Sequence, residues 1–212
     1  MEERLSPKEI PNWIDGQQRP AISCEWFDKL NPANGQVACR VARSLTEDVH
    51  QAVQAAKRAQ PPWADTPPVQ RGMLLHKIVL RMEARQKEIA QIVALETGKS
   101  YKDAYAETGG AIALGLFYAG EGQRLYGRTT TSGIPDRSAM TIRQPIGIAG
   151  LIVPANTPIA NLAWKIFPAL ICGNAVVLKA AEDTPATAWI VGHIAQEAGL
   201  PAALLNIIQG YG

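Results

Sequence analysis

Cysteine is scarce in this chain. Cys24, Cys39 and Cys172 are three in 212 residues, too few and too scattered for a disulfide framework or a zinc site. Charge of one sign is also missing: the formal net charge is +2, which gives no electrostatic case for nucleic acid or an anionic membrane surface. No run approaches the ~18 apolar residues of a membrane span. The opening MEERLSPKEIPNW mixes acids, bases and prolines instead of forming a basic, apolar leader. These absences point to a reducing cytoplasm. No internal repeat and no low-complexity segment occurs.

With 47% apolar and 19% charged residues, the chain is long enough to bury a sizeable core. Residues 11–43 read as an extended arm. Trp13-Ile14 runs into an Asp15-Gly16 turn, a strong hairpin signal, and Asn31-Pro32-Ala33-Asn34-Gly35 separates two further extended runs. A helix is expected from a Thr46 cap, followed by Glu47 and Asp48, to a stop at Pro61-Pro62. A second is expected from a Thr66 cap, with Pro67 at its first position, to about Leu95. A third runs from about Tyr101 to Gly120. Residues 122–143 form a hairpin with little core of its own.

From Pro145 the pattern becomes βαβαβ. Strands are expected at Ile148–Val153, Ala175–Leu178 and Leu204–Ile208, with helices at Ile159–Ile171 and Pro185–Ala198 between them. Near-continuous apolar strands alternating with helices indicate a parallel sheet covered on both faces. The fold class is therefore α/β, a partial doubly wound Rossmann-like sheet with N-terminal helices. Three units follow: 1–121, the 122–144 hairpin, and 145–212. A half-sheet of this kind would leave sheet strands unpaired, with backbone groups open to association.

No Gly-x-Gly-x-x-Gly follows any strand, so the usual pyrophosphate turn is absent. Glu96-Thr97-Gly98-Lys99-Ser100 imitates the end of a phosphate loop, but its first glycine is replaced by Val93 and a helix precedes it. Gly98 reads better as a helix stop. Polar residues at strand ends remain, where open parallel sheets bind ligands. Lys179 and Glu182 could grip a ribose diol, the carboxylate repelling a 2′-phosphate, or could be a solvated lysine and a helix-start acid. Asn156, between Pro154 and Pro158, could donate to a developing oxyanion, or merely suit a turn. Trp164 could line a substrate passage or belong to the core. Cys172, beside Ile171, is expected as a buried inert thiol, and His50, His76 and His193 have no ligand spacing.

Taken in order, these segments resemble the aldehyde dehydrogenase superfamily over nearly the whole chain. Trp63, Arg71 and Leu75, then Glu96-Thr97-Gly98-Lys99, then Tyr118-Ala119-Gly120 look like its N-terminal helices. Ile152-Val153-Pro154-Ala155-Asn156-Thr157-Pro158 is similar to its Pro-Trp-Asn-Phe-Pro segment. Ala163-Trp164-Lys165, Val177-Leu178-Lys179, Glu182-Asp183-Thr184-Pro185 and Asn206-Ile207-Ile208-Gln209-Gly210 continue the match.

The resemblance implies NAD-dependent oxidation of an aldehyde to a carboxylic acid. Within it Asn156 is the oxyanion donor, and Lys165 takes the place of a lysine implicated in proton relay. Ile152, Val153, Lys179, Glu182 and Gly210 lie at the NAD site, and Trp164, Ala155 and Thr157 at the substrate tunnel; no metal is implied. Ala155 and Thr157 depart from the family's bulky Trp and Phe, implying an altered and wider entrance. The family's Gly-Ser-Thr turn, general-base glutamate and nucleophilic cysteine fall beyond Gly212. The expectation is an N-terminal half, inactive alone, that forms a homo-oligomer through residues 122–143 or pairs with a C-terminal half. The other reading is a non-catalytic nucleotide-binding or assembly module.

Overall fold

Three apolar segments, each too hydrophobic for a surface, build the centre of the molecule side by side. A computed structural model describes residues 7–212. In chain order the elements are β1 (Glu9–Ile10), β2 (Asn12–Ile14), β3 (Gln17–Arg19), β4 (Trp26–Leu30), β5 (Val37–Ala42), α1 (Thr46–Asp65), α2 (Pro68–Ala84), α3 (Gln86–Thr97), α4 (Tyr101–Glu121), β6 (Thr129–Thr131), β7 (Ser138–Met140), β8 (Ile148–Ile152), α5 (Pro158–Ile171), β9 (Ala175–Lys179), α6 (Pro185–Glu197) and β10 (Leu205–Ile208).

The main sheet has the order β3-β2-β10-β9-β8, with β8, β9 and β10 parallel. β9 and β10 are covered, with Ala175, Val176 and Leu178 of β9 having no exposure, while β8 is only half-buried. This is the α/β, doubly wound arrangement that the alternation of strands and helices predicts.

The arm is not separate from this sheet. Its first hairpin, turned by Asp15 (φ 57°) and Gly16 (φ 69°), lays β2 antiparallel on β10 through Ile207 and Trp13. β10 is therefore covered on its outer side, and among the described residues the open edge of the parallel sheet is β8, which pairs with β9 alone. Trp13 is buried against Gly192 of α6, and the apolar area it hides keeps the hairpin docked. The arm's other strands form a second sheet, β1-β5-β4.

Two helix boundaries also differ. α1 runs through Pro61 and Pro62 to Asp65 because tertiary bonds hold its last turn: the buried Trp63 indole donates to Leu170 O at 2.9 Å, and Thr66 Oγ1 donates to Pro62 O at 2.9 Å. Thr66 thus closes α1 and does not cap α2, whose start is marked by Pro67 and Pro68. At the front of α1 the capping position is Leu45, and the buried Asp48 carboxylate accepts from Leu45 N and Ile22 N, each at 3.0 Å. The long helix expected to Leu95 is broken at Arg85 (φ −107°, ψ 17°) into α2 and α3. Arg85 there joins Glu88 at 2.7 Å and Glu197 at 3.2 Å.

α4 packs closely on both α2 and α5. Gly115 permits this, since a Cβ there would stand 2.6 Å from Val79 Cγ2 and 2.9 Å from Phe167 Cε2. β6 and β7 pair only with each other, and all six of their residues are exposed.

Candidate functional site

The site begins with register. Ile152, the last residue of β8, is the partner of Lys179, the last residue of β9, and Val153 N extends the ladder to Lys179 O at 3.3 Å. Both strands point the same way, so the loops that leave them, Val153–Thr157 and Ala180–Thr184, open on one rim of the sheet. Asn156 belongs to the first loop and Glu182 to the second. The structure thereby brings together the strand-end residues singled out from sequence.

α5 follows the first loop and is gripped at both ends by charge of the appropriate sign. At its N-terminus Glu107 of α4 accepts from Ile159 N at 3.0 Å and Ala160 N at 3.3 Å. At its C-terminus the buried Arg71 guanidinium donates to Ile171 O at 3.0 Å, while also holding the end of α1 through Ala64 O and Thr66 O. A carboxylate at the start and a cation at the end both oppose the helix macrodipole. They also satisfy backbone groups that the helix cannot pair internally.

Lys99 completes the clamp. Its ammonium stands 2.5 Å from Glu107 Oε2 and 3.0 Å from the carbonyl oxygen of Asn156. Gly98, in the left-handed conformation (φ 73°), ends α3 and turns the chain so that Lys99 faces this loop. The Glu-Thr-Gly-Lys segment is thus no phosphate loop; Lys99 holds the loop before α5 and Glu96 the start of α6. Glu96 is buried and reaches α6, where its carboxylate accepts from Ala186 N (2.6 Å), Thr187 N (2.9 Å) and Thr187 Oγ1 (2.6 Å). Burial outweighs these donors and raises its pKa to about 7.

Lys179 and Glu182 form an ion pair of 3.0 Å, their side chains 23% and 40% exposed, so both remain accessible to a ligand. The backbone amide of Glu182 itself, then the Lys179 ammonium, hold its carboxyl below the usual carboxylate range. The pair is therefore an anion beside a cation at neutral pH. One accepts and the other donates, as a ribose diol requires.

The remaining expected residues divide. Lys165 extends back from α5 to donate to Ile152 O, which puts its ammonium at the same strand end. Trp164 is 58% exposed and Ile152 73%, so neither is core. Val153 is buried beneath the loop. Ala155 and Thr157 are half-buried. Gly210 is buried with φ 149°, and a Cβ there would lie 3.4 Å from Ser44 N, so backbone conformation accounts for the glycine.

Cys172 is exposed, contrary to expectation. It caps the C-terminus of α5 while Asn156 precedes the N-terminus, a separation of about 20 Å along a helix of this length. Cys39 is buried and Cys24 lies in the loop before β4. His193 lies between Trp13 and Trp189, with ring centroids 5.1 and 4.5 Å away, and burial lowers its pKa. Among the described residues no group of three or more His, Cys, Asp or Glu could hold a metal, and no helix is long and apolar enough to cross a membrane.

Sequence reasoning missed Glu107, Arg71 as a helix-end ligand, and Asn161. Asn161 sits four residues beyond Thr157 on α5 and donates through Nδ2 to Thr157 Oγ1 (2.9 Å), Thr157 O (3.0 Å) and Asn156 Oδ1 (3.3 Å). The spacing of Asn156, Thr157 and Asn161 was the available signal.

A parallel α/β half-sheet with an asparagine loop clamped over its rim is the class the geometry defines, and comparison specifies the family. The chain matches the family model described as "Aldehyde dehydrogenase family" over residues 19–212. It belongs to that family. It is 38% identical over 202 residues to the mitochondrial benzaldehyde dehydrogenase of Antirrhinum majus, covering 94% of this chain and 38% of the relative. Betaine aldehyde dehydrogenase from Staphylococcus aureus in complex with NAD+ superposes with a TM-score of 0.93 at 30% identity, over 96% of this chain and 41% of that one. A structure described as an Escherichia coli NADP dependent enzyme gives 0.95 at 33% identity, over 98% and 43%. The chain thus spans well under half the length of each.

Proposed function

We propose that this chain forms the dinucleotide-binding part of an NAD-dependent aldehyde dehydrogenase, oxidising an aldehyde to a carboxylic acid. The observation that supports the reading is the parallel register of Ile152 with Lys179, from which the Asn156 and Glu182 loops both leave at one rim of the sheet. Lys179 and Glu182 fit an adenosine ribose, with Ile152, Val153 and Gly210 beside them, and a bound NAD would accept the hydride. The Glu182 carboxylate, held ionised, repels a 2′-phosphate and favours NAD over NADP.

Asn156 donates from its amide nitrogen to the oxygen that gains charge when a nucleophile adds to the carbonyl. Lys165 holds a proton-bearing ammonium at the end of β8. Trp164, Ala155 and Thr157 border the substrate's entrance, and two small side chains beside the tryptophan leave it wide. Cys172 stands at the opposite end of α5 from Asn156, which supports the reading that the 212 residues alone turn over no aldehyde. Residues 1–121, 122–144 and 145–212 serve as arm and helices, association hairpin and dinucleotide half-sheet. The exposed hairpin suits pairing with another copy or with a C-terminal half. Three scattered cysteines, too few for a disulfide framework, suit a cytoplasmic home.

The test is aldehyde-dependent NADH formation by the purified chain, alone and mixed with the C-terminal portion of a relative. Silence alone and activity on mixing support the proposal. Turnover by the chain alone refutes it. NAD binding with silence in both conditions favours the second reading, a binding or assembly module, which the exposed β6–β7 hairpin also supports.

A further inference from the structure

The Asn156 side chain is exposed, and an exposed asparagine amide would ordinarily sample both of its orientations. Its neighbours forbid one of them. Thr157 O is a carbonyl and can only accept, so the atom of Asn161 facing it at 3.0 Å must be the amide nitrogen. That same nitrogen faces Asn156 at 3.3 Å. An amide nitrogen cannot accept, so of the two Asn156 orientations only the one with Oδ1 toward Asn161 makes a hydrogen bond, sharing an amide proton with the nearer Thr157 acceptors. Its Nδ2 is then turned the other way, where it donates to no protein group among the described residues.

The backbone beneath is equally constrained. Lys99 holds Asn156 O at 3.0 Å, Glu107 holds the first free amides of α5, and Asn161 N pairs with Thr157 O at 2.9 Å within the helix. The clamp holds backbone alone and leaves the two side-chain torsions of Asn156 open; Asn161 is the group that restrains them, through Asn156 Oδ1.

We propose that Asn161 is a positioning residue that locks the Asn156 amide with its nitrogen outward, presetting the donor for the substrate oxygen. The proposal rests on the aldehyde dehydrogenase reading for the purpose of that donor, but the lock itself does not. A preset donor needs no reorientation when charge develops, which is the source of oxyanion stabilisation. A donor free to flip would present an oxygen, and repulsion, part of the time.

Side-chain amide NMR on the 15N-labelled full chain tests this, with the Asn156 signal identified by its loss in Asn156→Ser. In Asn161→Asp the position offers only acceptors, so the Asn156 amide must turn inward to donate. Its hydrogen exchange with water should slow about fivefold to tenfold as a hydrogen bond forms. In Asn161→Ala the partner is removed, so the heteronuclear NOE of Asn156 Nδ2 should fall as the amide becomes mobile. The alanine variant, compatible with the helix, decides the matter if the aspartate variant does not fold. An Asn156 signal unchanged in exchange and mobility in the folded variants overturns the proposal. The measurement needs neither dinucleotide nor aldehyde, so a failed lock and a failed activity assay remain separate results.

Discussion

The Lys99 ammonium stands 3.0 Å from the carbonyl oxygen of Asn156, although 57 residues separate them in the chain. The same ammonium meets Glu107 at 2.5 Å. The loop that carries the proposed oxyanion donor is thus tied to the helical layer at a defined point, and rigidity there has an identifiable origin.

Glu107→Gln should destabilise the protein by about 2 kcal/mol, because it discharges a largely buried acceptor and leaves the Lys99 charge and an α5 amide poorly satisfied. Lys99→Met should cost less, about 1 kcal/mol, since it leaves the carboxylate its two backbone donors. Urea unfolding monitored by circular dichroism measures both. Equal costs would contradict the assignment of Glu107 as the central member.

Lys179→Met and Glu182→Ala should each weaken NAD binding about tenfold, one charged hydrogen bond being worth roughly 1.5 kcal/mol. Neither should move the melting temperature much, since an accessible pair contributes under about 1 kcal/mol. Glu182→Ser should narrow the preference for NAD over NADP. Isothermal titration calorimetry with each dinucleotide reads all three.

Glu96 predicts a pH dependence of stability. Its folded pKa of about 7 lies above the ordinary 4.5, so the folded state binds the extra proton between those values. The contribution is fully present below about 4.5 and is lost as pH rises through 7, amounting to about 3 kcal/mol at 1.36 kcal/mol per pH unit. Unfolding free energies measured from pH 4.5 to 8 should show this decline in the wild type. Glu96→Gln should flatten it.

Two glycines of α4 should respond oppositely to alanine. A Cβ at Gly110 would meet nothing within 4 Å, so Gly110→Ala should stabilise the helix by about 1 kcal/mol. Gly115→Ala gains the same propensity but drives a methyl into Val79 and Phe167, and overpacking of about 1–3 kcal/mol should win. Thermal melts of the two variants decide it.

Much of this architecture was legible because period and punctuation agreed. The βαβαβ segment from Ile148 to Ile208 follows apolar runs bounded by Pro158, Gly173, Pro185 and Gly199, and its elements form within a residue or so of expectation. Failures occurred where distant contacts overrode local signals. Pro61 and Pro62 do not stop α1 because Trp63 is tied to Leu170, 107 residues away. Arg85 interrupts a continuous apolar stripe because Glu88 and Glu197 converge on it. The arm joins the main sheet through Trp13, a pairing that no local pattern announces. At the site, strand-end polarity pointed to Asn156, Lys179 and Glu182. Lys99 and Asn161, which hold Asn156, and Glu107, which holds Lys99 and the start of α5, come from a distant turn and from helix faces that read as ordinary polar surface.

The most direct test of the account is an NAD titration of the 15N-labelled chain. Saturable shifts confined to residues 152–156, 179–184 and the neighbourhood of Gly210, absent in Lys179→Met, are the predicted result. No shifts at millimolar NAD, or shifts on another face of the sheet, would contradict the shared crevice on which the functional reading depends.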